Sequence, residues 1–455
     1  MSKTQPTTAA AAAAAAPHKQ QLLENDSHIS ALSKLGGFSF MESVIDGIAN
    51  MNAERKARKQ IFLSDSNKAA ERKDLLKKIQ VWIDLLSANA LVEHMVEDCK
   101  NKSATAEITL KKNLKNTLEQ TRDLETAYRT VAQFYKNTEL DRVDNVHLIN
   151  ASLAQVSDID NPLFINHIAN EFKQYYDRLD LRDNYAIFVA PGYFGSNKVV
   201  EKWAKVCNEN KVMLVTDFAD LDKPDDVIDL FYSANLTGGE LHRSNVIMTC
   251  NWIIGRGKAE EVGEADHVYL PPSTSLAGKI HSTLMSQAAA GKKYGSINEV
   301  DAVKFELKKS EISQLEKMGL VPMVNEYGKI MAFSAKTLFT GDNIGLQTYS
   351  VVRVFDYVTK VLLDFLNRRA FENWTAKNED DLRKQIVRFL DGIKGADKLI
   401  EKFKIVRFEQ DRHQKDRVWL DIRMTPYFPA KSFVIKLDGH KGDDGNEWEA
   451  EYVQE

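Results

Sequence analysis

At 455 residues with 43% apolar content, the chain is long enough for about three domains, each with a hydrophobic core. Lysine and arginine number 61 against 65 aspartates and glutamates, a net charge of -4. That balance argues against wholesale binding to nucleic acid or an anionic membrane surface and leaves electrostatic partners to local patches. Three cysteines, Cys99, Cys207 and Cys250, without CxxC spacing, exclude a disulfide framework and a cysteine-rich zinc site and fit a reducing compartment.

Residues 1–17 are polar and then run through the alanines Ala9 to Ala16, without the charged and leucine-rich regions of a signal peptide. The longest apolar runs are broken by Arg353, Asp356, Lys360 and Asp364, so no bilayer-spanning helix is expected. Phe40, Met41, Val44, Ile45 and Ile48 recur at helical spacing and predict a docking helix over 38–51 at the end of a tail. The basic stretch 52–78 reads as a solvated helix face. Two long helices are predicted next, over 71–100 and 104–136. On the second, Leu110, Leu114, Leu118, Leu124, Tyr128, Val131 and Phe134 draw a narrow apolar stripe that needs a facing helix. Periodicity leaves open whether that helix is the one at 71–100 or belongs to a partner.

After Asn161-Pro162 the pattern changes. A short apolar run at 185–190, a helical pattern at 197–210 and a second apolar run at 212–216 spell a βαβ unit, and 245–249 adds a buried strand. The last third reads as α+β: a helix at 311–318, a strand at 329–333, helices at 350–371 and 378–393, then strands at 404–408, 418–424 and 433–437. Beyond Leu437, seven acidic residues face one lysine, Lys441. Such a tail is expected to be solvated or to add itself to a neighbour's sheet edge. The expected fold is therefore α/β and α+β multidomain. Its parts are a flexible tail and docking segment (1–70), a helical region (71–160), a central α/β domain (161–310), a closing domain (311–437) and an acidic arm (438–455).

Signals for chemistry are sparse. The loop from Gly192 to Lys198 lies between a strand and a helix, where backbone N–H groups bind phosphate, but its spacing matches neither a P-loop nor a dinucleotide fingerprint. An α/β nucleotide-binding enzyme using this loop is the rival of another class. The segment 255–258, Gly-Arg-Gly-Lys, reads as a surface loop. The ten histidines form no HExxH, and no Gly-x-Ser-x-Gly or paired-carboxylate pattern occurs. No enzyme, cofactor or metal site is expected.

Four segments, in order, resemble blocks of the contractile-sheath family, which includes phage tail sheaths and type VI secretion sheaths. They are His267-Val-Tyr-Leu-Pro-Pro-Ser-Thr-Ser-Leu-Ala-Gly278; the pair Leu315-Glu-Lys-Met-Gly-Leu-Val-Pro322 and Gly328-Lys-Ile-Met-Ala-Phe-Ser-Ala-Lys-Thr-Leu338; Tyr349-Ser-Val-Val-Arg-Val-Phe-Asp-Tyr-Val358; and Phe371-Glu-Asn-Trp374 with the helix and strands that follow. Val354 stands where phage sheaths often carry a second arginine, and Glu372 where they carry a proline. The long helices ahead of the α/β part are similar to the type VI large subunit, TssC-like, of a divergent Bacteroidetes-type branch. A phage or phage-like extracellular injection-system sheath is the alternative.

The resemblance implies a structural, non-enzymatic subunit in the bacterial cytoplasm. It would assemble with a TssB-like small subunit and copies of itself around an Hcp-like inner tube above a baseplate, with a AAA+ unfoldase as its recycling partner. It assigns the small-subunit interface to Leu110, Leu114, Leu118 and Leu124, and strand augmentation between subunits to Phe433, Val434, Ile435, Lys436 and Leu437. Glu379, Asp380, Arg383, Lys384 and Arg388 become candidates for facing the tube. Arg353 and Asp356 are expected to form a buried or half-buried ion pair.

Overall fold

The computed structural model describes residues 53–88, 91–143, 145–236, 238–441 and 446–453. The docking helix expected over 38–51 lies outside them. The chain divides into two compact units, Met1–Asn116 and Thr117–Glu455.

In the first unit, α1 (Ala53–Ser64) turns into α2 (Ala69–Ala88) through a 3-10 turn that Asp65 caps by accepting from the Asn67 amide. Arg72 clamps the corner, donating to the Phe62 and Asp65 carbonyls at 2.7 and 2.5 Å. The long helix α3 (Val92–Asn137) follows and continues into the second unit. The helix break thus falls before Val92 and not near 101–103, where the sequence reading set it. The stretch Lys100-Asn-Lys-Ser103 contains neither Pro nor Gly, and the hydroxyls of Thr105 and Thr109 bond back to the carbonyls of Asn101 and Thr105 within an unbroken helix. Leu85 is the buried side chain of α2, while Leu76, Val81 and Trp82 are exposed.

The second unit is built on a five-stranded sheet in the order β1-β2-β3-β7-β8: Ile187–Ala190, Met213–Asp217, Val246–Cys250, Leu320–Glu326 and Lys329–Ala332. The first four are parallel and β8 returns antiparallel. All of β2 is buried, as in a parallel strand covered on both faces. Period-two alternation sends Leu214 to one core and Met213 and Val215 to the other. The first core takes α4 (Leu163–Tyr176) and α5 (Asn197–Glu209), centred on Trp203. The second takes α6 (Ser273–Ser282), a small sheet of β4 (Ile253–Arg256), β5 (Val268–Leu270) and β6 (Ala302–Val303), and Tyr349 and Val352 of α7 (Tyr349–Arg368).

A third core joins α7 and α8 (Ala376–Ile393) to the hairpin β9 (Ile400–Gln410) and β10 (Val418–Pro426). The acidic tail is not merely solvated coil. Residues Asn446–Val453 form a strand, β12, paired antiparallel with β11 (Val434–Lys441) from Val434↔Val453 to Lys441↔Asn446.

Candidate functional site

The apolar stripe of α3 lies open. Leu110, Leu114, Leu124 and Tyr128 are exposed, Leu124 at 72%, and Leu118 is half-buried. Leu75, Leu76, Ile79 and Trp82 of α2 are exposed as well, so pairing of the two helices does not cover the stripe within the first unit. Exposed large apolar side chains grouped in this way mark candidate interaction surfaces.

The other side of the same helix is fixed. Glu125 accepts from Arg256 Nε and Nη2 at 2.8 and 3.0 Å and from Arg129 Nε at 2.8 Å. Arg256 also donates to Glu264 at 2.8 and 2.9 Å, and Arg122 Nη1 reaches Glu264 at 3.2 Å. The Arg256 guanidinium holds both carboxyls well below their usual range, at about 2. The Gly-Arg-Gly-Lys segment, read from sequence as a surface loop, therefore begins inside β4. A Cβ on Gly255 would lie 2.2 Å from Leu270 Cδ1. Further along α3, Gln133 and Asn137 are buried and bonded to Glu299 and Asn298. At Gly278 on α6, a Cβ would stand 2.6 Å from the Phe134 carbonyl oxygen, so the two helices touch backbone to side-chain-free backbone.

The glycine loop is occupied by the protein's own groups. The Gly192 amide, at φ +97°, donates to Asp217 Oδ2 at 2.8 Å. Asp217 also accepts from Thr249 Oγ1 (2.5 Å) and from the Ser273 amide and hydroxyl (2.7 and 2.6 Å). Burial pushes its carboxyl up, against the pull of these bonds. Phe194 packs into the first core, and Ser196 caps α5 by accepting from the Val199 amide. The carboxyl ends of the parallel strands, where α/β sheets bind ligands, thus hold a carboxylate on the donors a phosphate would need.

Arg353 and Asp356 do not pair with each other. Arg353 donates to the Ile280 carbonyl at 3.4 Å, while Asp356 accepts from Asn245 Nδ2 at 2.7 Å and faces Lys211 at 3.9 Å. Their places three residues apart on α7 point them at different neighbours, the end of α6 and the residues just ahead of β2 and β3. On α8, Lys384 pairs with Asp380 at 2.6 Å and Arg383 with Glu379 at 3.2 Å. Arg383 also turns inward to the Phe408 carbonyl at 3.1 Å, which leaves Asp380, Lys384 and Arg388 as the exposed members of that set. Phe433 and Ile435 are exposed, and one edge of β11 is taken by β12 of the same chain. The two buried cysteine thiols, Cys207 and Cys250, are pushed up by desolvation, away from thiolate chemistry.

Among the described residues no helix is long and apolar enough to cross a membrane, and no group of three or more His, Cys, Asp or Glu is placed to hold a metal. Sequence reasoning missed the Glu125–Arg256–Glu264 network and the Asp217 node, because each joins residues far apart in the chain.

Three family models match in order along the chain. The TssC/VipB-like N-terminal region matches residues 25–114, the type VI secretion system TssC/VipB central domain matches 116–340, and the TssC/VipB-like C-terminal domain matches 348–454. No curated protein matches. Among solved structures, the contracted helical sheath of the anti-feeding prophage is similar at 16% identity and TM-score 0.48, over 70% of this chain and 82% of that one. The sheath complex of the extracellular contractile injection system PVC, also contracted, is similar at 15% identity and TM-score 0.44, over 58% and 72%. A sheath tail protein of Desulfitobacterium hafniense is similar at 11% and 0.40, over 65% and 60%.

Proposed function

The chain belongs to the TssC/VipB family of the type VI secretion system, the large subunits of a contractile sheath, and on that premise we propose that it pairs with a TssB-like small subunit. The heterodimers stack as helical strands around an Hcp-like tube above a baseplate, inside the bacterial cytoplasm. Contraction drives the tube outward as subunits rotate and gain lateral contacts, a change of bistable interfaces and not a catalysed reaction. The observation that carries this reading is the succession of three models of one family along nearly the whole chain.

The physical features fit the assignment of surfaces. The exposed stripe at Leu110, Leu114, Leu118 and Leu124 takes the small subunit's helix. The strand beginning at Val434, with Phe433, Ile435, Lys436 and Leu437, carries main-chain pairing from one subunit to the next, because an edge hydrogen-bonded to a neighbour moves with it as a rigid body. On α8, Asp380, Lys384 and Arg388 face the tube, with Glu379 and Arg383 holding that face in place. A AAA+ unfoldase recycles the contracted sheath. The committed donors of the glycine loop weigh against the nucleotide-binding alternative, and the family weighs against catalysis.

Electron microscopy of the chain expressed alone and with the adjacent-encoded small subunit tests this. Hollow, cogwheel-sectioned tubules only in the co-expressed sample are expected. Tubules from the chain alone would replace the two-component reading with a phage-like one, and monomers in both samples would overturn the assembly.

A further inference from the structure

A cavity of about 440 Å³ opens on the flank of α7, between Arg353, Asp356, Lys360 and Asp364, the segment 181–186, Lys211 and Met213 at the start of β2, and Met285. Its charges do not balance. Asp364 is paired with Arg368 at 2.6 Å, and Arg182 with Asp180. What remains is Arg353, Lys360 and Lys211 against Asp356 alone, an excess of two positive charges in a partly buried space. Lys360 donates to the Tyr185 carbonyl at 2.7 Å, and among the described residues the guanidinium of Arg353 has one hydrogen bond, to the Ile280 carbonyl at 3.4 Å. Burial pushes Arg353 down to about 10 and Lys360 down to about 8, the mark of cations short of a counter-charge. Asn184, also in the wall, has its amide oxygen buried without a partner, and turning that amide over presents two more N–H donors. A buried polar atom left unmatched beside cations in excess of their counter-charge points to a missing binding partner.

The walls select among anions. Asp356, and Asp364 already paired with Arg368, line the same space, which favours a singly charged anion over a dianionic phosphate. Leu181, Met213, Met285 and Val361 supply an apolar flank beside the cations. We propose that this cavity is a carboxylate-binding site, in which the head group accepts from Arg353 and Lys360 and a short aliphatic stem lies along Met213, Met285 and Val361. Such a carboxylate comes either from a free aliphatic acid or from an Asp or Glu side chain of an adjoining subunit. The second source rests on the sheath reading and the first does not.

The test has two arms. Thermal unfolding of the full-length chain is followed in sodium butyrate and in sodium chloride at matched ionic strength. A free-acid site predicts a rise in Tm with butyrate that is smaller with acetate and lost in both Lys360→Met and Arg353→Gln; the first of these keeps side-chain length and suits a buried wall even if the second folds poorly. In the second arm, assembled sheath is treated with a carbodiimide, which joins an amine and a carboxylate already in contact. A peptide linking Lys360 to an Asp or Glu of another subunit, found by mass spectrometry without a butyrate effect, assigns the carboxylate to the lattice. A chain that folds and shows neither the butyrate shift nor the link overturns the proposal. Tubules with neither signal leave the sheath reading standing while the cavity reading falls.

Discussion

Arg256 shows how much one side chain can organise. It bridges Glu125 and Glu264, the latter with its side chain only 5% exposed, and it holds both carboxyls near 2, below the ordinary 4.5. A depressed folded-state value means the stabilisation is complete above pH 4.5 and is lost as pH falls toward 2. Arg256→Met leaves Glu125 with Arg129 and Glu264 with Arg122 as their remaining cationic partners, and urea unfolding at neutral pH is expected to show a loss of about 2 kcal/mol, less than for a buried charge left wholly unpaired. The same variant should lose less than the parent on acidification from pH 4.5 to 2; parallel acid curves would refute the role given to Arg256. None of this was legible locally. Two glycines flank Arg256 and imitate a loop, and its partner Glu125 lies 131 residues away.

At the scale of elements, period and composition revealed what they physically control. The βαβ unit at 187–217 was readable because buried parallel strands are apolar throughout and the intervening helix is amphipathic. The second strand of the C-terminal hairpin alternates strictly in Glu447-Trp-Glu-Ala-Glu-Tyr452, but glutamate is depleted in strands and the acidic composition reads as a solvated tail. The stripe on α3 was visible as a pattern, while its exposure was not. Leu114→Asp and Leu124→Asp are therefore expected to leave subunit stability within about 0.5 kcal/mol, as for exposed positions. Both should abolish co-purification of the small subunit; retention of the partner would remove the stripe from the interface. Gly278→Val has the opposite profile. Its branched side chain has no room against the Phe134 carbonyl, and thermal unfolding should show a loss of about 1–3 kcal/mol.

For the whole molecule, the C-terminal hairpin β11–β12 forms, among the described residues, a two-stranded sheet of its own, as β9–β10 does. A lone two-stranded ribbon is marginal in water and gains most from a third strand. Truncation after Phe433 is expected to keep the melting temperature of the remaining chain near that of the parent and to eliminate tubules in the electron microscope. A truncated chain that still forms tubules would show that lattice continuity comes from elsewhere.

The segment of α3 from Thr117 to Asn137 has two sides with different fates. Arg122, Glu125 and Arg129 rivet it to β4 and to the 264–267 segment, while Leu124 and Tyr128 face outward. Within a single turn, the same rod is both bolted down and offered as a grip. A partner that takes hold of the leucines has no loop or hinge between its grasp and the strands of β4 and β5, so a pull there reaches the sheet without slack, as a crank turns its axle.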